Sequence, residues 1–94
     1  MIQRFCFVKL VDDEVGTRAE LAQMMRARLA SAGANAVVGL PADDSAARWD
    51  ISIVITTASL EAWNELAQST AMTGAFDELA SRAAVVKAWT FEVC

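Results

Sequence analysis

The sequence predicts an α+β domain with the ferredoxin-like order β-α-β-β-α-β, two helical regions lying on one face of a four-stranded antiparallel sheet. Three observations lead to that class. Ile2 to Val11, Arg48 to Thr57 and Ala84 to Cys94 are rich in β-branched and aromatic residues with period-two alternation. Between them, apolar residues recur at helical spacing from Leu21 to Leu29 and again from Leu60 to Ala83. The 94 residues carry no repeat, linker or low-complexity segment, so they form one domain over 1–94.

In the first strand, both alternate sets, Arg4, Cys6, Val8, Leu10 and Gln3, Phe5, Phe7, Lys9, contain apolar residues. Both faces of that strand should therefore be partly buried. Asp12 to Gly16 reads as a loop. Thr17-Arg18-Ala19-Glu20 has the form of a capping box, with Thr17 as N-cap. Leu21, Met24, Met25 and Leu29 follow on one helical face, and Gly33 is placed to end the helix. Ala34 to Leu40 is a second, weaker strand ending at Pro41, and Ala42 to Ala47 is a polar turn. In the third strand Trp49, Ile51, Ile53 and Ile55 form an apolar face against the mixed set Asp50, Ser52, Val54 and Thr56.

Ser59 is placed to cap the second helical region, with Glu61 in its first turn. Leu60, Trp63, Leu66 and Ala67 share a face. Ser69-Thr70 then breaks and restarts the helix, and Met72, Phe76, Leu79 and Ala83 continue the apolar stripe. Gly74 early in this stretch costs about 1 kcal/mol relative to Ala, which suits close packing of a neighbour. The last strand again has two largely apolar faces.

The composition narrows function by exclusion. There is no histidine, so the commonest metal ligand, the usual haem ligand and the usual proton-transfer side chain near neutral pH are absent. No metal-binding spacing or phosphate-binding glycine loop is present, and no metal or other cofactor is expected. The formal net charge of −4 opposes nucleic acid and anionic membrane surfaces as partners. An RNA-recognition module would need a basic and aromatic strand where Arg48-Trp49-Asp50-Ile51-Ser52-Ile53 stands. An ACT-like regulatory module is usually appended to an enzyme, and no such partner domain is seen. The clusters Asp12-Asp13-Glu14 and Asp43-Asp44 read as solvated loops.

Hydrophobic residues make up 55% of the chain, with a mean hydropathy of +0.33, a surplus for so small a core. No apolar run approaches the roughly 20 residues of a membrane span, and the first residues lack a signal-peptide pattern. A cytoplasmic chain that buries its surplus in a second copy of itself is expected. Phe5, Phe7, Trp89 and Phe91 on the terminal strands are the residues such a copy would cover. Cys6 and Cys94 are expected to be free thiols. An antiparallel partner would put Cys6 opposite a residue several places before Cys94, beyond disulfide reach.

The chain resembles the stress-responsive dimeric α+β barrel family over nearly its whole length. The resemblance rests on the strand Ile2-Gln3-Arg4-Phe5-Cys6-Phe7-Val8-Lys9-Leu10 and on Trp49-Asp50-Ile51-Ser52-Ile53-Val54 leading into Ser59-Leu60-Glu61-Ala62-Trp63. The broken helix and the closing strand Val85 to Val93 complete it. It implies a homodimer whose two sheets enclose a central barrel, in a family many of whose members have no assigned activity. Some relatives are cofactor-free polyketide cyclases that use a His-Pro-Ala-His stretch after the helix break and histidines on the first and third strands. Here those positions read Ser69-Thr70-Ala71-Met72, Arg4 and Ile51, so that chemistry does not carry over.

Two functional readings follow. The first is a homodimeric binding or structural protein that takes a small apolar or aromatic molecule between sheet and helices. Arg4, Cys6, Ile51, Ile53, Met72 and Phe76 are the candidate lining, and no catalytic residue is assigned. The second is a cofactor-independent enzyme, monooxygenase- or cyclase-like, on an aromatic or polyketide-like compound, with Asp50, Arg4 or Cys6 as its acid–base groups. Arg4 either meets an acidic ligand group, or pairs with a protein carboxylate such as Glu92 on the neighbouring strand or stays at the rim, and a structural role is the expected outcome. Trp49, Trp63 and Trp89 are expected to fill core.

Overall fold

Alternation along the first segment produces β1 (Ile2–Leu10), which buries Ile2, Cys6, Val8 and Leu10 on one face and half-buries Phe5 and Phe7 on the other. The computed structural model describes all residues, Met1–Cys94. The elements that follow are α1 (Arg18–Ser31), β2 (Asn35–Gly39), β3 (Ile51–Thr57), α2 (Leu60–Gln68), α3 (Thr70–Ser81) and β4 (Ala83–Glu92). The sheet order is β2-β3-β1-β4, antiparallel throughout. This is the four-stranded ferredoxin-like arrangement that the element order predicts.

Several boundaries differ from the sequence reading, each for a local reason. The segment Asp12–Thr17 is a 3-10 helix rather than a loop. The Thr17 side chain makes no capping bond; its hydroxyl donates to the Glu14 carbonyl at 2.9 Å and to the Glu14 carboxylate at 3.0 Å. The Thr17 hydroxyl is turned back to Glu14 and not toward the first turn of α1, so the capping box does not form. A second 3-10 turn, Asp44–Ala46, delays β3 until Ile51. Trp49 consequently leaves the isoleucine face and meets Phe7 on the other side of the sheet, centroids 5.8 Å apart. Ala83 belongs to β4, where it pairs with Leu10 after a register shift, and not to the preceding helix.

Other local signals act as the residue types dictate. Gly33, at φ 83°, ends α1, with its N–H donating to Ala30 and that of Ala34 to Leu29, both at 3.0 Å. That double bond is the Schellman arrangement, and the left-handed position favours glycine. Ser69 is the hinge between α2 and α3. Its hydroxyl donates to the Leu66 carbonyl at 2.8 Å and accepts from Met72 N–H at 3.3 Å, closing one helix and opening the next. At Gly74 an added Cβ would stand 3.1 Å from Arg28 Nη2, which is why no side chain is accommodated there without displacing Arg28.

Leu21, Met25 and Leu29 of α1, Met72 and Leu79 of α3 and the isoleucines of β3 close one core on the helix side of the sheet. Ile51 and Ile53 belong wholly to this core, at 1% and 0% exposure. The opposite face of the sheet has no cover. There the register aligns Val37, Val54, Phe5 and Trp89 in one row across all four strands. Trp89 and Phe91 are 46% and 57% exposed.

Candidate functional site

A cavity of about 300 Å³ lies between the β1–β4 side of the sheet and the α2–α3 pair. The periods of its walls are those of the elements that build it. Strand period two contributes Arg4 and Cys6 from β1, and Val86 and Ala88 from β4. Helical spacing of four contributes Trp63 and Ala67 from α2, and Met72 with Phe76 and Thr73 with Asp77 from α3. Ala67 and Ala88 on its walls are small, and Ser69, in extended conformation, breaks the helical region between Ala67 and Met72.

Arg4 is the cation of this cavity. Its Nη1 donates to Thr90 Oγ1 at 2.8 Å, from the residue opposite it on β4. Its guanidinium carbon lies 5.4 Å from the Trp63 ring centroid, within cation–π range. The candidate partner, Glu92, stands opposite Ile2 instead, and the ion pairs of the chain belong to Arg18 and Arg82. The carboxylate pairing of Arg4 is therefore not present. Two-residue spacing along β4 puts Thr90, not Glu92, across from the arginine.

Cys6 is buried on the cavity wall. Burial pushes its thiol up, while the charge of Arg4 pulls in the opposite direction more weakly. The protonated thiol is a poor nucleophile at neutral pH. Asp50, another acid–base candidate, is outside the cavity. It is 6% exposed; it accepts from Leu10 N–H at 2.8 Å and from Arg18 Nη1 at 3.3 Å. Its carboxylate is occupied in holding the end of β1 to the start of β3.

Of the six sequence candidates, Arg4, Cys6, Met72 and Phe76 stand together on the cavity wall. Ile51 and Ile53 do not reach it, because β3 is separated from β4 by β1 and turns its isoleucines into the core. Trp63 packs against the core as expected and is also a wall of the cavity, while Trp49 and Trp89 depart from expectation and flank Phe7 on the open face. Thr73, Asp77, Ala67, Val86 and Ala88 were not among the candidates. Thr73 and Asp77 each follow a named candidate by one residue on α3, a signal that helical geometry offers; for the small residues there is none.

A second feature is the open sheet face. Phe5 meets Phe91 edge-on with centroids 5.8 Å apart, and Phe7 lies 6.0 Å from Trp89. With Gln3 and Val93 these rings line a shallow apolar trough. No group of three or more histidine, cysteine or acidic side chains is placed to hold a metal ion. No helix is long and apolar enough to cross a membrane.

Comparison with known proteins adds fold but no sequence family. No family model matches the chain, and no curated protein matches it. Among solved structures, a dimeric ferredoxin-like protein of unknown function from Thermobifida fusca superposes with a TM-score of 0.80 at 14% identity, over 98% of this chain and 90% of the other. A dimeric protein of unknown function and ferredoxin-like fold from Bacteroides fragilis gives 0.77 at 17% identity, over 98% and 95%. An antibiotic biosynthesis monooxygenase gives 0.72 at 6% identity, over 100% and 99%. At these identities the likeness is one of fold: the chain has the ferredoxin-like fold of proteins that include dimers of unknown function.

Proposed function

We propose that this chain is a homodimeric small-molecule-binding protein of the stress-responsive dimeric α+β barrel type. The cavity carries the ligand-binding part: seven of its ten wall residues are hydrophobic, and its volume, about 300 Å³, lies at the low end of small-molecule sites. An apolar or aromatic compound fits such walls. The uncovered aromatic row supports the dimer. A second sheet packed against it would bury Phe5, Trp89 and Phe91 in an interface expected to exceed about 1,000 Å². The dimeric ferredoxin-like neighbours point the same way.

The test is to purify the protein, denature it and look for a co-purifying compound by mass spectrometry, alongside the same preparation of Ala67→Phe. A compound present in the wild type and lost from the cavity-filled variant supports binding. A wild-type dimer that carries nothing and fails to bind a panel of small apolar compounds overturns it.

The competing reading is a cofactor-independent enzyme. The observation that favours it is Asp77, the one carboxylate on the cavity wall. Turnover of a bound aromatic compound that disappears in Asp77→Asn with binding retained would decide for it.

A further inference from the structure

We infer that Arg4 makes the cavity selective for a small organic carboxylate: an apolar body against Trp63, Met72 and Phe76, and a carboxylate on the guanidinium. This inference rests on the ligand-binding reading above and assigns the charge of the ligand.

The first support is the incomplete pairing of Arg4. A guanidinium has five N–H donors in a planar fork. Thr90 takes one bond from Nη1 at 2.8 Å, and the Trp63 ring lies 5.4 Å from the guanidinium carbon. No carboxylate lies within ion-pair distance of Arg4; the three ion pairs of the chain are Arg18–Asp50, Arg82–Glu14 and Arg82–Glu78. Donors of a half-buried cation thus remain for a ligand, and a carboxylate is the group that matches the fork with two parallel bonds.

The second support is orientation. Thr90 and Trp63 hold the guanidinium from two elements, β4 and α2, so the fork is aimed before any ligand arrives. The ordering cost on binding falls accordingly. The third is the rest of the wall. Cys6 beside Arg4 is kept in its neutral form by burial and does not compete as an anion. Asp77 is the remaining ionisable group on the wall; it makes no ion pair with Arg4 and leaves the cation uncompensated.

The experiment titrates 3-phenylpropionate and its neutral isostere 3-phenylpropanamide into the wild type, Arg4→Met, Thr90→Val and Ala67→Phe by calorimetry. The wild type should bind the acid about tenfold more tightly than the amide, the scale of a charge-assisted bond. Arg4→Met should abolish that preference. Thr90→Val, which frees the fork without removing its charge, should reduce the preference partway. It serves as the second test if Arg4→Met folds poorly. Ala67→Phe should lose both probes.

Equal affinity for acid and amide in the wild type, or a preference that survives Arg4→Met, overturns the charge assignment and leaves the ligand cavity standing. Binding that survives Ala67→Phe places the probes elsewhere and overturns it too. Failure of both probes to bind at millimolar concentration sinks both the assignment and the cavity reading.

Discussion

Asp50 and Leu10 are tied at the end of the sheet: the buried Asp50 carboxylate accepts the Leu10 N–H at 2.8 Å, while the Asp50 N–H donates to the Val8 carbonyl at 2.8 Å. One residue thus satisfies two backbone groups of β1 where ladder pairing with β3 stops, since Val8 and Ile51 are the last pair.

Removing that carboxylate strands the buried Leu10 N–H. Asp50→Ala should lower stability by about 2 kcal/mol, and Asp50→Asn, which keeps an acceptor, by about 1 kcal/mol. The Arg18 end of the interaction is 42% exposed, so Arg18→Ala should cost less than about 1 kcal/mol. Chemical denaturation of the three variants checks the order. An Asp50→Ala protein as stable as the wild type would show the tie to be dispensable.

Glu14 predicts an acid limb. The Arg82 guanidinium, donating from Nε at 3.0 Å and Nη2 at 2.8 Å, and then the Thr17 hydroxyl, hold its carboxyl below its ordinary value. A group whose folded value is depressed stabilises fully above its unfolded value, about 4.3, and loses that contribution as pH falls through the folded value. Glu14→Gln should therefore melt below the wild type at neutral pH, with the difference closing as pH drops under about 4. Thermal melts across that range test it, and a difference that widens on acidification would contradict the assignment.

The open face predicts assembly. Trp89→Glu and Phe91→Glu place charges on residues that are exposed in the single chain and that a second sheet would cover. Wild-type protein should sediment as a dimer at micromolar concentration and these variants as monomers, because an unpaired buried charge costs several kcal/mol. A monomeric wild type would remove the dimer from the proposal.

The two thiols should differ in reactivity. Cys94 is exposed, whereas Cys6 is buried with its thiol pushed up. At neutral pH one equivalent of a thiol reagent should be consumed rapidly at Cys94, and Cys6 should react only on unfolding. Equal rates at both sites, read by mass spectrometry of the labelled peptides, would refute the burial account. The two cannot bridge within one chain, because Cys6 pairs with Ala88, well short of Cys94.

The elements were legible because their signals are local. A period of two at Ile51, Ile53 and Ile55, a spacing of four at Leu21, Met25 and Leu29, a serine before α2 and before α3 and a glycine after α1 act over a few residues. The absence of histidine removed imidazole chemistry in the same direct way. The mismatch between so apolar a chain and so small a core also called for a partner surface, and the uncovered face of the sheet exposes Trp89 and Phe91.

Register and seating were decided only in three dimensions. Arg4 faces Thr90 and not Glu92 because pairing of β1 with β4 is set by the whole ladder, bulge included. Trp49 crosses to the Phe7 side because a 3-10 turn delays β3, and Trp63 walls a cavity because the fold brings α2 and α3 opposite Arg4, Cys6, Val86 and Ala88 of the sheet. Ile51 and Ile53 go to the core because β1 stands between their strand and the cavity. Local pattern assigns a side chain to a face of its element. What that face meets depends on contacts between residues distant in sequence, and no short-range pattern encodes them.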